Sequence, residues 1–118
     1  MDTKSIIKEV IINLVEDLQG CKLTELITNL IIVIQEHNIE SFIKTKKTNE
    51  FKLLLIDLYS TDIDTDFIIN LLEELCETGE IICINYTLPS LLYKNKTFIL
   101  PKYTKVQIQK TGKNKCPI

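Results

Sequence analysis

The stretch "FIINLLEELCETGEIICINYTLP", from Phe67 to Pro89, changes its hydrophobic period at a glycine. Before Gly79 the apolar residues recur three and four positions apart, which is the spacing of one face of an α-helix. After Gly79 the β-branched residues are frequent and nearly continuous, which is typical of a strand. Glycine readily adopts the left-handed conformation that ends many helices. The sequence therefore predicts a helix from about Asp64 to Thr78 that stops at Gly79 and continues into a strand.

Two segments upstream of this stretch repeat the helical period. Residues 3–19 predict an amphipathic helix that ends at Gly20, and residues 24–37 predict a second helix with Thr24 as its N-cap. Because the apolar faces repeat every turn, they should form the core. The residues expected to be nearly inaccessible to solvent are Ile7, Ile11, Leu14, Phe67, Leu71 and Leu75.

The segment between the second helix and Asp64 combines polar and apolar stretches. Residues 38–49 are polar and lysine-rich, which predicts a loop with a short strand near residues 39–43. Residues 50–59 predict a short helix that turns Phe51, Leu54, Leu55 and Leu58 toward the core. This segment therefore adds a helix to the predicted helical body.

Downstream of Gly79 the sequence predicts a hairpin. The strand after Gly79 is followed by a loop that opens at Pro89 and by a returning strand in "KTFIL", residues 96–100. The alternation resumes in "TKVQIQ" and ends near residue 109, after which no period remains. We therefore expect one domain over residues 1–109 and a basic tail over residues 110–118.

The net charge of −2 conceals a strong asymmetry along the chain. All 16 acidic residues lie at or before Glu80, whereas residues 91–118 contain 7 lysines and no acid. Such a division points to a polyanion or to an acidic partner for the C-terminal quarter. The alternative explanation is that these lysines only keep an edge hairpin soluble.

The inventory of reactive side chains argues against an enzyme. The four cysteines form no CxxC pair, and His37 is the single histidine, so no metal or cofactor is expected. The N-terminus lacks a signal-peptide pattern and the longest apolar run, "LIIVI", is too short to cross a bilayer. The chain also contains no arginine, alanine or tryptophan, a composition typical of an AT-rich genome such as that of a virus or phage. We therefore expect a non-catalytic cytoplasmic protein with free thiols and no membrane partner, located in the host cytosol if the source is viral.

Two motifs suggest a more specific architecture. "KLTELITNL", residues 22–30, looks like a short first strand and a second helix, and "DFIINLLEELCETGEIICI", residues 66–84, looks like a third helix that runs into a wing. Over roughly residues 3–109 this order resembles the winged-helix branch of the helix-turn-helix superfamily. The helix at 50–59 departs from the usual pattern. The resemblance implies an α+β, mainly helical domain of three to four helices followed by a C-terminal β-hairpin, the wing.

In that superfamily the third helix often enters the major groove of DNA. Here the corresponding helix holds five acids and no lysine between Asp64 and Glu77, so DNA phosphates would repel it. Nucleic-acid contacts are therefore expected in the lysine-rich wing and tail, where tyrosines are interleaved. The residues predicted to bind nucleic acid are Lys94, Lys96, Lys102, Lys105, Tyr93 and Tyr103, assisted by Lys110, Lys113 and Lys115.

Two functions follow from this distribution of charge. The first, which the resemblance narrowly favours, is a regulatory module that contacts phosphate through the wing and tail. The alternative is an interaction adaptor in transcription, replication or assembly, whose acidic third helix docks on a basic protein surface. The residues predicted to bind protein are Asp66, Asn70, Glu73, Glu74 and Glu77.

Overall fold

The computed structural model describes residues 2–44, 47–84 and 97–101. These residues form four α-helices, one short 3-10 helix and a three-stranded antiparallel sheet. The helices are α1 (Thr3–Asp17), α2 (Leu23–Gln35), the 3-10 helix (Ile39–Phe42), α3 (Asn49–Tyr59) and α4 (Thr65–Thr78), and the strands are β1 (Cys21–Lys22), β2 (Ile82–Ile84) and β3 (Thr97–Ile99). The predicted α+β, mainly helical class is confirmed for this part of the chain. The predicted loop of the hairpin and the boundary at residue 109 lie outside the described residues.

Helix α4 begins and ends where the sequence predicts. The side chain of Asp64 accepts a hydrogen bond from the backbone N–H of Phe67 at 2.8 Å, and Gly79 ends the helix with a φ of 81°. An acceptor at the N-cap satisfies an amide that the helix leaves free, and a left-handed glycine satisfies the last carbonyls. These local signals explain why the change of period at Gly79 locates the end of the helix.

The prediction of Thr24 as the N-cap of the second helix is wrong. Helix α2 starts at Leu23, directly after β1, and Lys22 occupies the cap position. The backbone N–H of Lys22 donates to the side chain of Glu25 at 3.2 Å, so a carboxylate three residues inside the helix binds the cap amide. The strand holds Lys22 extended, and the helix therefore begins earlier than its apolar stripe suggests.

The short strand predicted near residues 39–43 is also wrong, because Ile39–Phe42 forms a 3-10 helix. The backbone N–H of Ile39 donates to the hydroxyl of Tyr59 at 3.1 Å, and the buried side-chain amide of Asn13 donates to the carbonyl of Phe42. Ile39 at the start of this 3-10 helix and Ile43 directly after it are both buried. Contacts with α1 and α3 thus decide the conformation of this segment.

The sheet places its last strand in the centre, in the order β1-β3-β2. Phe98 of β3 is opposite Cys21 of β1 on one side and opposite Cys83 of β2 on the other. Gly20, with a φ of 95°, turns the chain from α1 into β1 and packs against Ile99. The sheet therefore ties the C-terminal ends of α1 and α4 together.

The core predictions hold with one exception. Ile7, Ile11 and Leu14 of α1 and Leu71 and Leu75 of α4 are all buried, as predicted. Phe67 is only half-buried, and its side chain lines a groove beside α4. Within the described ranges, no helix has the length and apolar content needed to cross a membrane.

Candidate protein-binding groove

The outer face of α4 forms one wall of a groove of about 390 Å³. Four of the five residues predicted to bind protein line it, namely Asn70, Glu73, Glu74 and Glu77. Most of them lie three and four positions apart, which places them on one face of the helix. The fifth, Asp66, is exposed in the first turn of α4 and lies outside the lining.

The N-terminal turns of α1 form the opposite side of the groove. Nζ of Lys4 lies 2.8 Å from Oε2 of Glu74, and Nζ of Lys8 lies 2.9 Å from Oε1 of the same carboxylate. The hydrogen bond from Lys4, with a second from Lys8, lowers the pKa of Glu74 below its usual range. Glu74 is therefore held ionised and is directed toward α1.

The remaining charge of the groove comes from Glu73 and Glu77, which both lie at exposed positions. They are separated by one turn, so their β-carbons are about 5–6 Å apart along the surface of α4. Carboxylates at this spacing accept hydrogen bonds from ammonium or guanidinium groups and attract them electrostatically. Asn70 adds an amide that can both donate and accept.

Two residues of this arrangement are missed by the sequence analysis. Lys4 and Lys8 lie on successive turns of α1, and their spacing along that helix does not reveal an acidic partner. Their partner Glu74 lies 66 positions after Lys8 in the chain. Only the packing of α1 against α4 brings these side chains together.

The residues predicted to bind nucleic acid lie outside the described residues. These are Lys94, Lys96, Lys102, Lys105, Tyr93 and Tyr103, together with the tail lysines Lys110, Lys113 and Lys115. The hypothesis of phosphate contacts through the wing and tail therefore stays a prediction.

The cysteines of the described ranges are buried. Cys21, Cys76 and Cys83 are buried and are not part of a disulfide, and Cys116 lies outside these ranges. Burial, with a smaller contribution from Glu25, raises the pKa of Cys21 to about 12. No group of three or more histidine, cysteine, aspartate or glutamate side chains in the described ranges is arranged to hold a metal ion.

The single histidine, His37, lies two positions after the end of α2 and has a φ of 53°. Its ring stacks on Tyr59 of α3, with the ring centroids 4.2 Å apart and the planes 8° from parallel. The Tyr59 hydroxyl in turn accepts the hydrogen bond from Ile39. This stack joins the end of α2 to the end of α3.

Comparisons of this chain with protein-family models, with curated proteins and with solved structures find no match. The geometry and charge of the described residues are therefore the basis for inferring a function.

Proposed function

We propose that this protein is a non-catalytic interaction module that binds a basic protein surface through the outer face of α4. The observation that carries the proposal is the groove in which Asn70, Glu73, Glu74 and Glu77 converge. The described ranges contain all 16 acids and six of the 14 lysines, a balance of −10. A surface of this sign attracts basic partners and accelerates their association.

The order of the elements supports a winged-helix-like architecture for this module. β1 lies between α1 and α2, α4 leads directly into β2, and β3 pairs with both of the other strands. Helix α3 is the additional element between the second and the last helix. In this architecture α4 occupies the position of the usual recognition helix, and its acids direct it toward protein instead of DNA.

A second candidate function is a regulatory module that contacts nucleic acid through its lysine-rich C-terminal quarter. The supporting observation is the concentration of 7 lysines and no acid in residues 91–118. Lysine acts on phosphate as a point charge, so this binding would show little sequence preference. Both functions suit a protein of transcription, replication or assembly.

The test for the first function measures binding of a lysine-rich probe peptide by fluorescence anisotropy at about 0.05 and 0.2 M salt. The double variant Glu73→Gln/Glu77→Gln should weaken binding about two- to tenfold at the lower salt, because it removes two exposed charge pairs. Glu50→Gln/Asp57→Asn is the matched control, since it removes two exposed acids of α3 that do not line the groove. An equal loss in both variants would contradict a site on α4.

The second function is tested in the same salt series with duplex DNA, single-stranded DNA and RNA. Phosphate contacts predict a log-log slope of roughly −0.9 per contact on duplex DNA, and the groove variant should bind as well as the wild type or slightly better. Failure of all three nucleic acids to bind at the lower salt would exclude this function.

A further inference from the structure

A second groove adjoins the first at the N-terminal end of α4. Its volume is about 480 Å³, and its apolar lining consists of Leu58, Ile63 and Phe67. Lys4 and Phe67 line both grooves, so the two grooves lie next to each other along α4, and together they are called the depression. From the Asp64 cap to Glu77 this depression extends about 20 Å, at about 1.5 Å per helical residue.

The floor of the second groove presents apolar surface to solvent. Leu58 is buried at its base, whereas Ile63 and Phe67 are half-buried. Ile63 directly precedes the Asp64 cap and Phe67 lies in the first turn of α4, and both side chains line this groove. A half-exposed aromatic ring beside an isoleucine gives a large gain in free energy when a partner side chain covers it.

Carboxylates border the apolar floor. Asp2, Asp62 and Asp64 line the second groove. The side chains of Asp2 and Asp64 are fixed in place, because each accepts a backbone N–H of the helix that it caps, at 2.8 Å. With Glu73 and Glu77 at the far end, the whole depression combines an apolar pocket with acids on both sides of it.

We propose that the occupant of this depression is a short, basic, amphipathic segment of a partner protein. It inserts one bulky apolar side chain between Ile63 and Phe67 and places lysine or arginine residues beside Glu73 and Glu77. This inference depends on the proposed function and specifies its partner. A helical segment of about 14 residues matches the length of the depression.

Charge complementarity selects this occupant. A nucleic acid would meet carboxylates at both ends of α4, and the described part of a second copy carries the same negative balance. A purely basic segment would satisfy the acids but leave the apolar floor uncovered. A segment with both features satisfies both parts of the depression.

The experiment compares two synthetic peptides of equal charge, each of about 14 residues, the length of the depression. One is a lysine-bearing amphipathic helix with a single leucine anchor, and the other has alanine in place of that leucine. Anisotropy at about 0.05 M salt should show that the anchored peptide binds about tenfold or more tightly, as expected for a buried apolar anchor. Nuclear magnetic resonance of the wild-type protein should place the largest shift changes at Ile63 and Phe67.

Two variants test whether the leucine anchor of the peptide binds beside Ile63. Ile63→Ser should remove most of the advantage of the anchored peptide, while Leu53→Ser should leave it unchanged. Leu53 is a matched control, because it is 67% exposed on α3 and does not line the depression. The shift map requires no variant, so it tests the proposal even if Ile63→Ser fails to fold.

The outcomes separate this inference from the proposed function. If both peptides bind equally and Glu73→Gln/Glu77→Gln weakens both, the inference is wrong and the proposed function stands. If the anchored peptide binds at Ile63 but the glutamine variant has no effect, the proposed function is wrong. Binding of neither peptide overturns both, and a dimer detected by light scattering that Ile63→Ser abolishes would replace the partner with a second copy.

Discussion

The glycines that follow α1 and α4 offer a matched test of the contact between the helices and the sheet. Gly20 has a φ of 95° and Gly79 has a φ of 81°, so alanine at either position incurs the left-handed backbone penalty of about 1–2 kcal/mol. At Gly79 a β-carbon would meet no heavy atom within 4 Å apart from those of the adjacent residues. At Gly20 it would lie 2.6 Å from Cγ2 of Ile99.

The close contact with Ile99 makes Gly20→Ala more destabilising than Gly79→Ala. Ile99 is fully buried in the central strand β3, and its β-branched side chain has no room to rotate away from the new methyl group. Overpacking of this kind costs about 1–3 kcal/mol. We therefore expect Gly79→Ala to lower the free energy of unfolding by about 1–2 kcal/mol and Gly20→Ala to lower it by about 2–5 kcal/mol.

Urea denaturation at constant pH measures both losses, provided that the m-value stays unchanged. A double-mutant cycle with Ile99→Ala isolates the steric part, because removal of Cγ2 should make the alanine at Gly20 less costly by about 1–3 kcal/mol. Equal losses at Gly20 and Gly79, with no coupling to Ile99, would refute the packing of the α1 turn against β3.

Burial, thiol ionisation and the α1–α4 ion pair give three further predictions. Leu71→Ala should lower the free energy of unfolding by about 2–5 kcal/mol, whereas Leu53→Ala should change it by less than about 0.5 kcal/mol in the same urea titration, because Leu71 is 1% and Leu53 67% exposed. The Cys21 thiol, whose pKa burial raises to about 12, should resist alkylation at about pH 8 in the folded protein and react after denaturation, as peptide mass spectrometry would show. Because the lysine hydrogen bonds depress the pKa of Glu74 in the folded state, its stabilising effect is present above the pKa of the unfolded chain and is lost as the pH falls through the folded value. Glu74→Gln should therefore lower the melting temperature at about pH 7 and lose this effect in strongly acidic buffer; a difference that persists there would contradict the ion pair.

Sequence predicts the fold best where the deciding interactions are local. The N-cap at Asp64 and the left-handed Gly79 act within one turn of their own helix, so the bounds of α4 follow from the residues around them. The errors at Thr24 and at residues 39–43 arise where tertiary contacts prevail. β1 fixes the start of α2, and the hydroxyl of Tyr59 with the amide of Asn13 holds the 3-10 helix.

The same distinction between local and tertiary interactions applies to the candidate site. The acidic stripe on α4 is visible from its spacing, because all of its members belong to one helix. The pairing of Lys4 and Lys8 with Glu74 requires the packing of two distant helices, and the half-exposure of Phe67 likewise depends on residues outside its own helix. Helical phase specifies which residues share a face, but only the assembled helices specify whether that face is covered.

The position of β3 has a consequence for how a newly made chain matures. Within the described residues, β1 and β2 both pair with β3 and not with each other. During synthesis, Cys21 and Lys22 leave the ribosome long before Thr97–Ile99 and have no strand to bind until it follows. The helices can pack together earlier, but the sheet that joins the ends of α1 and α4 forms only after β3 is made, so β1 stays unpaired while α2, α3 and α4 are synthesised.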